Sequence, residues 1–181
     1  MTTAYASTTT LAAIRAASPC EEGWRKLLGA LGKTSADDEP LDLLTVLDSN
    51  GLDDALWVLS YAMPDDRLAR HFQAWCAEQV LHLFEAERPD DARVRDQIAM
   101  LRNDEADDAT RAAAGVAAGV AAWAAMRSAA WKAAGAAWAA EAAEAAGAAW
   151  AAAGAAEASR AAQENQLRQM LAASEATLTA A

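Results

Sequence analysis

A chain of 181 residues with 26 acidic and 15 basic side chains has a formal net charge of −11. Its apolar content is 54%, yet alanine accounts for 54 residues, and Val, Ile, Tyr and Phe together number only twelve. That scarcity of strand formers excludes a β-rich fold, two cysteines exclude a disulfide framework and a four-cysteine zinc site, and the lack of a basic stripe argues against direct nucleic-acid binding.

The remaining class is acidic and all-α, sized for one domain or two small ones. The first residues, MTTAYASTTT, lack the basic-then-leucine-rich pattern of a secretory signal. The longest uncharged run of the C-terminal half, residues 112–126, is shorter than the roughly 20 apolar residues a membrane span needs. A soluble, cytoplasmic protein with reduced thiols is expected.

In chain order, Ser18-Pro19-Cys20-Glu21 reads as a capping box with Ser18 as the cap. The helix it opens carries Trp24, Leu27, Leu28 and Leu31 and stops at Gly32. A polar stretch leads through Pro40 to the leucine-rich segment 41–47, and Asp48-Ser49-Asn50-Gly51 breaks the chain. Asp53 and Asp54 then sit in the first turn of a helix, where they complement its dipole, and Leu52, Leu56, Trp57 and Leu59 are its expected buried residues. Pro64-Asp65-Asp66 and Pro89-Asp90-Asp91 are two further helix starts of one design. The first opens a helix to about Glu87 whose apolar face gathers Phe72, Cys76, Val80, Leu83 and Phe84. The second opens a shorter helix through Val94, Ile98 and Leu101.

At Asp104 the composition changes. An acidic hinge, Asp104-Glu105-Ala106-Asp107-Asp108, precedes residues 112–162, where 31 of 51 positions are alanine. Lys132, Gly135, Trp138, Glu141, Glu144, Gly147 and Trp150 recur every third residue, and a period of three walks around a helix by about 60° per step. One straight helix would bring Arg127 and Glu141 onto its own Trp123 stripe. The expectation is therefore two or three helices, bent or broken near Gly135 and Gly147 or Gly154, with small residues permitting close approach and tryptophans filling the core. A last helix at about 157–171 regains an ordinary pattern with Leu167, Met170 and Leu171. The predicted architecture is a bundle of several short helices over 1–103 followed by an Ala/Gly/Trp-rich helical hairpin or bundle over 104–181, packed as one continuous domain.

Few residues suggest chemistry. His71, Glu78, His82 and Glu85 share one helical stripe and include metal-ligand types, but no matching stripe occurs elsewhere and a solvent face explains them better. Cys76 falls on the apolar face as a structural thiol, and Cys20 near a helix start has no obvious base. No phosphate loop, nucleophile elbow or paired Cys-x-x-Cys is present. No catalytic, cofactor or metal residue is assigned, and an enzyme is not expected. Charge is the remaining lead: Asp37, Asp38, Glu39, Asp90, Asp91, Asp104, Glu105, Asp107 and Asp108 are the candidate contacts for a basic protein partner. Helix caps and solvated loops are the plainer explanation of these clusters, since helix starts account for Asp53, Asp65 and Asp90 without any partner.

Two stretches carry a family resemblance. Leu47-Asp48-Ser49-Asn50-Gly51-Leu52-Asp53-Asp54-Ala55-Leu56-Trp57 is one, and the segment from Trp75-Cys76-Ala77-Glu78 to Pro89-Asp90-Asp91-Ala92-Arg93-Val94-Arg95 is the other. They resemble the immunity proteins called Imm-5-like and related Ala/Trp-rich proteins of bacteria and their phages, over about residues 47–165. The resemblance implies an all-helical, non-enzymatic protein that binds and blocks another protein, and it assigns no binding residue. The expected function is thus an inhibitor or immunity protein that occludes a toxin or host defence protein. A phage-encoded, anti-CRISPR-like antagonist and a self-assembling helical protein that homo-oligomerises through the Ala/Trp tract are the alternatives.

Overall fold

The fold was obtained as a computed structural model, which describes the backbone of residues 5–118 and 144–179 and the side chains of residues 5–118 and 157–174. It is predominantly helical, as the composition requires. The elements are β1 (Thr8–Thr10), α1 (Leu11–Ala16), α2 (Glu21–Leu31), β2 (Pro40–Asp42), α3 (Leu43–Asn50), α4 (Leu52–Tyr61), α5 (Arg67–Glu87) and α6 (Arg93–Arg102). Helical residues 108–118 form α7, and α8 is Glu144–Thr179. The chain divides into two compact units, Met1–Ala69 with Glu164–Ala181, and Arg70–Gln163. The composition change at Asp104 falls within the second.

The first unit is built around short helices and a small antiparallel ribbon. Thr8, Thr9 and Thr10 pair with Asp42, Leu41 and Pro40. Threonine is a strand former absent from the Val, Ile, Tyr and Phe tally, which is why the ribbon escapes a reading of composition. Each strand runs directly into a helix, and the joining residue is also its cap. Thr10 accepts from the Ala13 amide at 3.0 Å, and Asp42 Oδ1 accepts from the Leu44 amide at 2.8 Å. Leu11, Ile14, Leu27, Leu43, Val46, Leu47 and Leu59 form the buried core with Leu68. Leu167, Met170 and Leu171 of α8 are buried in the same unit. Here Arg168 donates to Asp48 and, at 2.9 Å, to Glu164, while Ser174 donates its hydroxyl to the Tyr5 carbonyl at 2.6 Å.

Several sequence-level expectations change here. The cap of α2 is Cys20, whose Sγ accepts from the Gly23 amide at 3.3 Å, and not Ser18. Ser18 takes a left-handed conformation (φ 63°) and donates its amide to the Arg15 carbonyl, so it closes α1. The Asp48–Asn50 segment remains helical, and only Gly51, with φ 94° and ψ −179°, separates α3 from α4. In α4 the buried residues are Leu52, Ala55, Val58 and Leu59, with Leu56 and Trp57 half-buried. Gly32 (φ 64°) ends α2 as expected.

In the second unit α5 and α6 follow their proline-acid starts. Phe72 and Phe84 are buried, and Val94 packs against Phe84. Val80 and Leu83, however, are 55% and 60% exposed, so the apolar face expected of α5 is only partly covered among the described residues. α8 runs through Gly147 and Gly154 without interruption, against the expected break at one of them. A single glycine costs a helix only about 1 kcal/mol relative to alanine, which a long alanine-rich neighbourhood tolerates. Gly135, Trp123, Trp131 and Trp138 lie outside the described residues, as does the Trp150 side chain. Among the described residues no helix is long and apolar enough to cross a membrane.

Candidate functional site

The nine acidic candidates lie in three loops and, for Asp108, at the first position of α7, and use their charge in different ways. Between α2 and β2, the Lys33 ammonium bridges Asp37 and Glu39, at 2.6 Å from each. The hydrogen bond from Lys33 holds the Asp37 carboxyl below its usual range. Between α5 and α6, Asp91 accepts from the Arg93 amide at 3.2 Å and from its guanidinium at 2.8 and 2.5 Å. That guanidinium brings the Asp91 pKa down to about 2. Between α6 and α7, Asp107 accepts from the Thr110 amide at 2.7 Å, a bond that lowers its pKa. Asp108 pairs with Arg111 at 2.5 Å.

Asp104 meets two groups of α5. Arg70, only 8% exposed, donates to Asp104 Oδ1 at 3.0 Å and to the Leu101 carbonyl at 2.9 Å. His71 Nε2 lies 3.2 Å from the same carboxylate oxygen. Asp38, Asp90 and Glu105 are exposed, and no ion pair engages them among the described residues. The loop holding Asp90 and the turn holding Glu105 lie at opposite ends of α6, a ten-residue helix about 15 Å long. The candidates therefore do not converge on one patch.

The His71, Glu78, His82 and Glu85 stripe also resolves into partners. Glu78 receives Arg102 at 2.6 Å and Glu85 receives Arg95, while His71 lies beside Asp104. His71, Glu78 and Glu85 are seven residues apart, as are Arg95 and Arg102, so two antiparallel helices match rung for rung. Glu78 and Glu85 thus pair with α6, and His71 with Asp104 just beyond it, so these three are partly covered and not simply a solvent face; His82 is exposed. Cys76 is half-buried, and that burial pushes its thiol pKa up, consistent with a structural role.

The first unit also holds a cavity that the reading of the residues did not anticipate. It has a volume of about 190 Å³. Ile14, Leu27, Val46 and Val58 line it on the apolar side, and Trp24 and Trp57 flank it. Its polar side is made by Cys20, Asn50, Asp53 and Asp54. Helix packing brings these residues together: Asn50 ends α3, Asp54 lies in the first turn of α4, and Gly23 lies in the first turn of α2. The Asn50 amide donates to the Gly23 carbonyl at 2.9 Å and to Asp54 Oδ2 at 2.7 Å. A methyl on Gly23 would lie 2.7 Å from Asp54 Oδ2 and 3.2 Å from Cys20 Sγ. Gly23 is thus bare where a carboxylate and a thiol approach the helix. A glycine in the first turn of a helix, followed by tryptophan, was the one signal available beforehand.

Among the described residues no lysine or arginine side chain lines the cavity. Arg15 lies over the Trp24 ring, 5.5 Å from its centroid, outside the lining residues. Trp57 in turn packs against Tyr61 at 5.5 Å between ring centroids. Comparison with protein-family models, with curated proteins and with solved structures finds no match for this chain.

Proposed function

We propose that this protein is a non-enzymatic inhibitor of the immunity-protein type, acting in the cytoplasm by binding and occluding a basic partner protein such as a toxin or a host defence protein. The observation that supports this reading most directly is the net charge of −11 together with the exposed carboxylates of Asp38, Asp90 and Glu105. Acid residues already bonded to a neighbouring arginine or lysine offer a partner little net attraction. These three keep their field and can steer a cationic surface during encounter. The resemblance of residues 47–57 and 75–95 to Imm-5-like proteins points the same way.

The test is affinity capture from the native host, identification of the retained protein, and association kinetics on the purified pair. A basic partner is expected, with an association rate that falls as salt is raised from low to physiological ionic strength. The triple variant Asp38→Asn, Asp90→Asn, Glu105→Gln should slow association more than it speeds dissociation. Reproducible capture of nothing, or an association rate indifferent to salt, overturns the reading.

A further inference from the structure

We propose that the cavity bounded by α2, α3 and α4 is a binding site for a small alkylammonium group, independently of any partner that the acidic loops attract. The lining combines the carboxylates of Asp53 and Asp54 with two indoles, Trp24 and Trp57, and the aliphatic side chains of Ile14, Leu27, Val46 and Val58. That combination selects its ligand class by exclusion. A divalent metal needs a converging set of hard oxygen ligands, and among the described residues no group of three or more His, Cys, Asp or Glu side chains is placed to hold one. An anion would meet Asp53 and Asp54 with no basic residue in the lining among the described residues. A neutral hydrocarbon would fill the floor but strip water from Asp54 without compensation.

An alkylammonium satisfies all three surfaces. Its charge pairs with Asp54, its N-methyl or methylene groups lie against the Trp57 indole, whose ring quadrupole attracts a cation, while Trp24, which already carries Arg15, supplies apolar contact, and its carbon chain covers Val46 and Val58. The volume, about 190 Å³, suits a head group and a short chain and falls below the roughly 300 Å³ at which drug-sized sites begin. The carboxylate is also held in advance: Asn50 donates one bond to it and another to the Gly23 carbonyl. Little side-chain ordering is then left for the ligand to impose.

The same ammonium chemistry is offered by a free small metabolite and by a lysine side chain. The full-length protein is titrated with choline, with its neutral isostere 3,3-dimethylbutan-1-ol, and with Nα-acetyl-lysine N-methylamide, while tryptophan fluorescence and indole N–H resonances are followed. Saturable binding of at least one ammonium is expected, with the neutral isostere weaker by about tenfold or more. Tighter binding of blocked lysine assigns the occupant to a peptide side chain, tighter binding of choline to a free ammonium, and either supports the proposal. Asp54→Asn should weaken the cation by about tenfold and leave the isostere unchanged, and Trp57→Leu should weaken both. Equal binding of cation and isostere, an Asp54→Asn protein with undiminished cation affinity, or no saturation by either ammonium overturns it. Should Asp54→Asn fail to fold, the isostere comparison on the unaltered protein decides alone.

Discussion

In the first unit Leu11, Ile14, Leu43 and Leu47 are at most 2% exposed, and short helices enclose them. In the second, Val80, Leu83 and Val116 are 55–70% exposed, and α5 meets α6 through charged pairs as well as through Phe84 and Val94. Burial of large aliphatic groups contributes free energy roughly in proportion to area, whereas exposed ion pairs contribute little. The contrast teaches that one chain can specify one unit mainly by packing and the register of two helices in the other mainly by matched charge.

Substitutions can break that contrast in order of effect. Leu47→Ala, at a site 2% exposed, is expected to cost about 3 kcal/mol, read from the urea midpoint. Arg70→Ala should cost about 2 kcal/mol, since it leaves the Leu101 carbonyl and Asp104 without the guanidinium that joins them. Amide hydrogen exchange should place the loosening at the C-terminal end of α6. Glu78→Gln and Glu85→Gln should each cost under about 0.5 kcal/mol, and the difference should vanish in high salt.

Acid provides the mildest probe. Asp91 has a folded-state pKa of about 2, below its ordinary 3.8, because Arg93 bonds to the ionised form. Its contribution is therefore complete above the ordinary carboxylate value and lost as pH falls toward 2. The Arg93 Nε–H resonance should lose its protection in that window while the aliphatic signals of the first-unit core stay in place.

What could be read in the residues was local. Gly32 ends α2, Asp53 and Asp54 open α4, and both Pro-Asp-Asp segments precede helices, because each signal acts within one turn. Ser18 misled because the same residue types serve a helix end and a helix start, and the neighbouring Pro19 fits either. The α5–α6 pairs were half legible: the sevenfold spacing is visible on both helices, but their facing one another depends on a turn and a packing direction. The Asn50–Asp54–Gly23 arrangement left only the first-turn glycine of α2 as a trace, since Gly23 and Asn50 are 27 positions apart and meet only when α2 packs on α3. The acidic candidates were found as charges, but which of them arginine or lysine engages depended on loop geometry.

The hydroxyl of Ser174 reaching the Tyr5 carbonyl has a consequence for biogenesis. Leu167 and Leu171 belong to the same compact body as Leu11 and Leu43, yet the 94 residues Arg70–Gln163 are translated between its two portions. At roughly 5–20 residues per second, the nascent first portion waits on the order of 5–20 s before its closing helix leaves the ribosome. During that interval leucines that the finished molecule hides remain open to chaperones, which makes this stretch of synthesis the moment of greatest exposure to misassembly.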